Sequence, residues 1–90
     1  MARISVKNGI LLRKVKNGMI VSWVENKTVQ RAKLNETAGY IMYNLQKEPA
    51  KVSEIIDLIH HKYTEDEKTV KSDILSFVKK GMGKYLQIKS

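Results

Sequence analysis

The sequence predicts an α+β fold in which a three-stranded antiparallel sheet is followed by three helices. Two polar turns, near residues 16–18 and 25–27, separate three runs of residues that favour strands. After Asn35, apolar residues recur at helical spacing in three successive segments. The change from strands to helices falls within residues 34–39, whose sequence is Leu-Asn-Glu-Thr-Ala-Gly.

Three strands are predicted, and a short signal marks the first hairpin. They cover residues 10–15, 19–24 and 28–34. Asn17 and Gly18 lie between the first two, and Asn-Gly is a strong hairpin signal because both residues tolerate a positive φ. Residues 4–7 predict a further short edge strand of the same antiparallel meander.

The third strand is predicted to lie at an edge of the sheet and carries cations. Ala32 and Leu34 share one face, whereas the other face carries Val29, Arg31 and Lys33. The free N–H and C=O groups of an edge strand can pair with an added strand, which is one way in which proteins bind peptides. The basic residues favour an acidic incoming strand, although protection of the edge against self-association explains them equally well.

Each predicted helix has one apolar face and recognisable ends. Asn35 is a good N-cap for the first helix, and Pro49 ends it at or before Glu48. The second helix is predicted to run to about Lys62. The apolar faces consist of Ala38, Ile41, Met42 and Leu45, then Val52, Ile55, Ile56 and Ile59, and then Val70, Ile74, Phe77 and Val78.

The third helix has a start signal and a stop signal. Thr64 and Glu67 have the spacing of a capping box, and glycines at positions 81 and 83 end the helix. Residues 85–88 are predicted to form an extended tail that packs back on the core. Three strands followed by three helices describe a small winged helix-turn-helix module, and such modules bind other molecules rather than transform them.

The composition limits the classes of function. Ninety residues suffice for one domain with a modest core, but not for a deep catalytic cleft. The chain has no cysteine, which excludes disulfides and cysteine-based zinc sites and fits the reducing cytoplasm. Its first residues lack the apolar run of a signal peptide, and no segment approaches the roughly 20 apolar residues of a membrane span.

No group of titratable residues predicts catalysis or metal binding. His60 and His61 are adjacent, so on a helix they point about 100° apart and cannot readily chelate one ion as neighbours. Glu65, Asp66 and Glu67 are better explained as charges at a helix N-terminus. Ser-His-Asp order and a phosphate-binding loop are absent from the sequence. We therefore expect neither an enzyme nor a bound metal or cofactor.

The net charge of +8, from 17 basic and 9 acidic residues, favours acidic partners. Nucleic acid, an anionic membrane surface and an acidic peptide would each fit, and ordinary solubilising lysines explain the charge equally well. Winged-helix modules commonly bind DNA, so DNA binding is the alternative function. However, residues 70–80 contain no Arg, Asn or Gln to make bidentate contacts with bases. Trp23 and the four tyrosines are scattered like core aromatics.

Between residues 19 and 86, about three quarters of its length, the chain resembles the PqqD-like family. Members of this family are the precursor-peptide recognition domains of ribosomally made peptide natural products. The matching residues are the segment 34–39, Ile41, Leu45, Val52, Ile55, Ile56, Ile59, Tyr63, Val70, Asp73, Ile74, Phe77, Val78 and Leu86.

The resemblance implies a winged helix-turn-helix fold without enzymatic activity or cofactor. The leader segment of a precursor peptide would add as a strand beside the third strand, in the cleft towards the third helix. The basic residues of this site would meet leader carboxylates, while Leu75, Val78 and Met82 would line apolar pockets; core packing is an equally suitable role for Ile74 and Val78. Carried over by position, the site consists of Val29, Gln30, Arg31, Ala32, Lys33, Lys71, Ile74, Leu75, Val78, Lys79 and Met82.

The chain departs from the family pattern at three positions. Lys51 stands where the second helix usually has a threonine cap, Gly81 where a leucine is usual, and Tyr85 where a glycine is usual. The early glycines leave open where the third helix ends, and whether Gly81 or Met82 faces the cleft.

The resemblance also suggests a pathway and a place of action. A chain that ends at Ser90 is expected to be free-standing and cytoplasmic, to present the precursor to a leader peptidase, and to serve a lasso-peptide pathway. Pyrroloquinoline quinone biosynthesis and the pathways of radical enzymes are the alternatives within the family.

Overall fold

In the part of the chain that the structure describes, four strands precede three helices and a short fifth strand follows them, so the predicted α+β class, with a three-stranded antiparallel sheet and three helices, is confirmed. The computed structural model describes residues 2–63 and 66–89. The elements are β1 (Arg3–Val6), β2 (Leu11–Val15), β3 (Gly18–Glu25), β4 (Thr28–Leu34), α1 (Glu36–Lys47), α2 (Val52–Lys62), α3 (Glu67–Gly81) and β5 (Leu86–Lys89). The strands β2, β3 and β4 form a three-stranded antiparallel sheet in that order. The capping box predicted for Thr64 and Glu67 falls on side chains outside the described residues.

A two-residue loop joins β2 to β3, but the glycine beside it has an unexpected role. Val15 pairs with Gly18, so the loop consists of Lys16 and Asn17. Asn17 has a positive φ of 62°, as predicted, whereas Gly18 does not, so the conformational reason predicted for this glycine is wrong. A Cβ on Gly18 would instead overlap the carbonyl oxygen of Leu34, where β4 ends beside the start of β3.

Replacing Gly18 with alanine should therefore destabilise the protein by about 3 kcal/mol, because a backbone carbonyl cannot move aside as a side chain can. Gly9→Ala is the matched control: Gly9 has a φ of 82° but no atom within 4 Å of an added Cβ. Its cost should be only the 1–2 kcal/mol, roughly, of a left-handed conformation. Urea denaturation of both variants tests this, and equal losses of stability would contradict the steric explanation.

The predicted N-terminal strand forms, but its predicted partner is wrong. β1 pairs antiparallel with β5, and the two make a separate two-stranded sheet rather than an extra edge of the meander. Ile4 of β1 also exchanges two main-chain hydrogen bonds with Ala50, with N–O distances of 2.7 and 3.0 Å. The predicted extended tail thus packs back as a strand, and its Leu86 is fully buried. Pairing of distant segments depends on the whole topology, which neither segment specifies alone.

The capped start of α1 follows β4 directly and lies against the sheet. Asn35 is the N-cap, as predicted, and its Oδ1 accepts a hydrogen bond of 2.8 Å from the main-chain N–H of Ala38. Gly39 in the next turn lets the helix approach β3, since a Cβ there would lie 3.0 Å from Cβ of Met19. The helix ends before Pro49, as predicted.

The apolar core lies between the main sheet and the helices. The sheet buries Met19, Val21 and Trp23, which alternate along β3 with more exposed residues. The predicted apolar faces of the helices are confirmed as the faces that pack here. Their buried members are Ile41, Met42, Leu45, Ile55, Ile59, Val70 and Ile74, and their half-buried members are Ala38, Val52, Ile56, Phe77 and Val78.

Candidate functional site

A cleft of about 610 Å³ lies between β4 and α3. Its apolar end, where the start of α1 closes it, is lined by Leu34, Ile41, Ile59, Val70 and Ile74. Its cationic end is lined by Lys80 and Lys84 beside Trp23 and Tyr85. A groove of this size with an apolar floor can accept a row of side chains from an extended chain.

The two ends lie at opposite ends of α3 and of β4. Val70 and Lys80 are ten residues apart on α3, which is about 15 Å along a helix axis. On the sheet, Leu34 pairs with Met19, the residue that packs on the start of α1. Near the other end of β4, Gln30 pairs with Trp23.

The main chain of β4 pairs with β3 on one side and, within the described residues, has no strand partner on the other. The hairpin closes at the pair Glu25–Thr28, with Asn26 and Lys27 as its loop. These loop residues have φ values of 51° and 64°, which fit a two-residue hairpin turn. The closing pair of such a turn is hydrogen-bonded, and bonded and non-bonded pairs then alternate along the ladder.

That alternation assigns the main-chain groups of β4 to two directions. Residues 28, 30, 32 and 34 bond to β3. The N–H and C=O groups of Val29, Arg31 and Lys33 therefore point to the free edge, where an added strand can reach them. The edge thus offers three regularly spaced pairs of donors and acceptors beside the cleft.

The side chains of β4 alternate between the face of the sheet towards the helices and the exposed face. Gln30 and Ala32 are half-buried and Leu34 is buried, on the face towards the helices. Val29, Arg31 and Lys33 are exposed, as the predicted alternation of the strand requires. The five β4 residues of the predicted site therefore lie together, three offering main-chain groups at the edge and two placing side chains towards the core. Of these five, Ala32 and Lys33 line the cleft.

On α3 the cleft is lined by a different face from the one predicted. Of the six predicted residues, Ile74 lines the cleft. The other five do not belong to its lining, because helical residues one position apart point about 100° apart. Leu75 is 46% exposed, and Val78 and Met82 are half-buried against the core. Lys71 and Lys79 are exposed elsewhere on the helix. Their contact with a peptide stays a prediction.

The residues that the sequence analysis missed continue the buried stripe of α3. Val70, Asp73, Phe77 and Lys80 line the cleft beside the predicted Ile74. Extending the helical spacing from Phe77 by three residues reaches Lys80, which was the available signal. Lys84 lies beyond the helix, and no periodicity identified it.

Three aromatic rings form the wall of the cationic end. The ring centroids of Trp23 and Tyr85 are 5.3 Å apart, and those of Phe77 and Tyr85 are 6.3 Å apart. Burial raises the pKa of the Tyr85 hydroxyl above its ordinary value, so this group stays neutral at physiological pH. The prediction that Trp23 is a core aromatic is confirmed, since it is 9% exposed.

Comparison with known proteins assigns the family. Residues 25–86, about two thirds of the chain, match the family of coenzyme PQQ synthesis protein D, or PqqD. The chain belongs to the PqqD family. This confirms the resemblance inferred from the sequence. A solved structure described as TbiB1 in complex with the TbiA(β) leader peptide has the same fold, with a TM-score of 0.68 and 18% identity over 86% of each chain. No curated protein matches the sequence.

In this PqqD-family chain, two of the positions that depart from the family pattern, Gly81 and Tyr85, lie against each other. A Cβ on Gly81 would lie 2.7 Å from Cε1 of Tyr85 and 2.9 Å from Cδ1 of Leu86. The Tyr85 ring thus fills the space that a leucine at position 81 would need. The open question about the helix end is also answered: α3 ends at Gly81, and neither Gly81 nor Met82 lines the cleft.

At the third position that departs from the family pattern, Lys51, the start of α2 is capped by a glutamate side chain. Lys51 is the N-cap residue, and its main-chain N–H donates a hydrogen bond of 2.8 Å to Oε1 of Glu54. The carboxylate of Glu54 also complements the positive end of the helix. A threonine is therefore not required for the helix to begin here.

The titratable residues that the structure describes do not gather into a metal-binding group. Within residues 2–63 and 66–89, no cluster of three or more His, Asp or Glu side chains is placed to hold a metal ion. His60 and His61 are exposed, as expected for surface histidines. Over the same ranges, no helix combines the length and the apolar character needed to cross a membrane.

Proposed function

We propose that this PqqD-family protein binds the leader segment of a ribosomally made precursor peptide in the cytoplasm and presents it to a maturation enzyme, without catalysis of its own. The observation that carries the proposal is the free edge of β4 beside the apolar cleft. A strand of peptide needs both features, because the edge supplies main-chain bonds and the cleft takes alternate side chains. The fold is also that of TbiB1, whose structure contains a leader peptide.

The leader would lie as a fourth strand next to β4. Its main chain would exchange hydrogen bonds with Val29, Arg31 and Lys33, whose groups point to the free edge. Every second side chain of the leader would then enter the cleft, opposite Gln30 and Ala32. The intervening side chains would lie beside the exposed Arg31 and Lys33, where acidic residues are favoured by roughly 0.2–1 kcal/mol per cross-strand pair.

The helix side of the site follows from the same placement. Ile74 would belong to the floor under the leader, since it lines the cleft but is only 1% exposed. Lys71, Leu75, Val78, Lys79 and Met82 lie outside the lining, so we expect them to act only if the leader continues around α3. A precursor with a leader peptidase, as in lasso-peptide systems, is the favoured pathway, followed by quinone-cofactor and radical-enzyme pathways.

Fluorescence anisotropy separates this function from DNA binding, which the net charge of +8 keeps as the second candidate. The probes are the labelled leader encoded in the nearest short reading frame beside the gene, and a labelled DNA duplex. We expect leader binding that survives moderate salt, because main-chain bonds and apolar contacts carry it. Binding of the duplex alone, falling steeply as salt rises, would show that the fold serves a regulator instead.

Trp23 provides an internal control for the place of binding. It is the single tryptophan of the chain, it lines the cleft and it is 9% exposed. A leader that occupies the cleft should shift its emission in proportion to the anisotropy change. A leader that binds without any change in this emission would contradict the proposed placement in the cleft.

A further inference from the structure

The two ends of the cleft differ in charge as well as in polarity. Lys80 and Lys84 line the cationic end, whereas Lys33 lines the cleft next to Leu34 of the apolar end. Asp73 is the single carboxylate among the described lining residues. Asp73 precedes Lys80 by seven residues, or about 10 Å along the helix axis. The cationic end therefore carries positive charge that the cleft itself does not balance nearby.

With a peptide bound, the aromatic wall would make this charge more effective than that of ordinary surface lysines. The rings of Trp23, Phe77 and Tyr85 pack together and line the cleft with Lys80 and Lys84. A bound peptide would cover the open side, so a carboxylate between rings and peptide would be partly removed from water. Interactions between opposite charges strengthen as water is excluded.

We propose that the cationic end is a subsite for one acidic side chain of the bound peptide, held by Lys80 and Lys84. This inference rests on the proposed function and specifies the peptide it selects. The apolar end takes an aliphatic or aromatic side chain opposite Leu34, and the acidic side chain lies opposite Gln30. Leu34 and Gln30 are four residues apart on one face of β4, so the two peptide residues are also four apart, or about 13 Å in a strand.

The asymmetry of the cleft also selects the direction of the peptide. A strand with its apolar and acidic residues exchanged would place an apolar side chain beside Lys80 and Lys84, and a carboxylate against Ile41, Ile59 and Val70, whose side chains offer no hydrogen-bond donor. Peptides with the same composition in the two orders should therefore bind with different affinities.

The test is an acid-to-amide scan of the fluorescein-labelled leader, with each Asp replaced by Asn and each Glu by Gln in turn. One of these replacements should weaken leader binding about tenfold, or 1.4 kcal/mol. The acidic residue concerned should lie four positions from an apolar leader residue whose change to alanine also weakens leader binding. In the double variant Lys80→Gln/Lys84→Gln, the native leader should bind about tenfold more weakly, and that amide replacement should have no further effect.

Lys14→Gln/Lys16→Gln is the matched control, because it removes two exposed lysines on and beside β2, outside the cleft and outside the predicted site. It should keep the full preference for the acidic leader. If the leader binds but no amide replacement weakens it beyond twofold, or if the control loses the preference instead, the acidic subsite is wrong while leader binding stands. If the native leader does not bind at all, the proposed function fails and the subsite fails with it.

Discussion

Replacing Arg31 with proline should weaken leader binding about 100-fold, or 2.8 kcal/mol, while the sheet stays folded. The N–H of Arg31 points to the free edge of β4, so proline removes a donor that β3 does not use. Proline is tolerated on an edge strand when its N–H would face away from the ladder. The incoming strand would lose a main-chain bond, keep an unpaired carbonyl and meet the proline ring, which together account for the loss.

Two controls separate the main chain from the side chain of Arg31. Arg31→Gln removes the charge but keeps the N–H, and should weaken binding only a few-fold. Ala32→Pro removes an N–H that bonds to Val21 of β3, so it should lower the thermal unfolding temperature strongly. Circular dichroism during heating and anisotropy with labelled leader measure the two effects. If Arg31→Pro bound leader as tightly as Arg31→Gln, strand addition at β4 would be ruled out.

Restoring the residues usual in the family at positions 81 and 85 should show strong coupling between their effects on the free energy of unfolding. Gly81→Leu alone forces a side chain against the Tyr85 ring and should cost about 3 kcal/mol. Tyr85→Gly alone removes a ring that is 5% exposed and should cost about 4 kcal/mol. In the double variant the leucine refills part of the vacated space, so it should be about 2 kcal/mol more stable than the sum of the single effects predicts.

Urea denaturation of the four proteins gives the coupling energy directly. Because single losses of this size approach the whole stability of a small domain, the milder cycle of Gly81→Ala with Tyr85→Leu provides the same test. Additive effects in both cycles would mean that the two departures from the family pattern are independent. Leader binding by the double variant should weaken, since Tyr85 lines the cationic end.

The residues that line the cleft were easier to predict on the strand than on the helix. Alternation along residues 28–34 was enough to separate Ala32 and Leu34 from Arg31 and Lys33, because side chains of a strand point to only two sides. A helix surface offers a continuous range of directions. Its rotation about its own axis decides whether Leu75 or Phe77 faces the cleft, and that rotation depends on what packs against it. For this reason the cleft lining includes Ile74 but not the other five carried-over helix residues, and it includes Lys80, which was not predicted. Contact of the carried-over residues with a peptide stays a prediction.

Local patterns in the sequence determined the class of this protein: the strand and helix segments, the cap at Asn35, the helix stop at Pro49 and the segment 34–39 that indicates the PqqD family. These features depend on neighbours in the chain, whose geometry is set by hydrogen bonds and torsion angles within a few residues. Tertiary structure decided the pairing of β1 with β5, the need for glycine at position 18 and the fit of the Tyr85 ring against Gly81. Each of these depends on atoms that meet only after the chain has folded, because steric fit between distant segments leaves no periodic trace in either one.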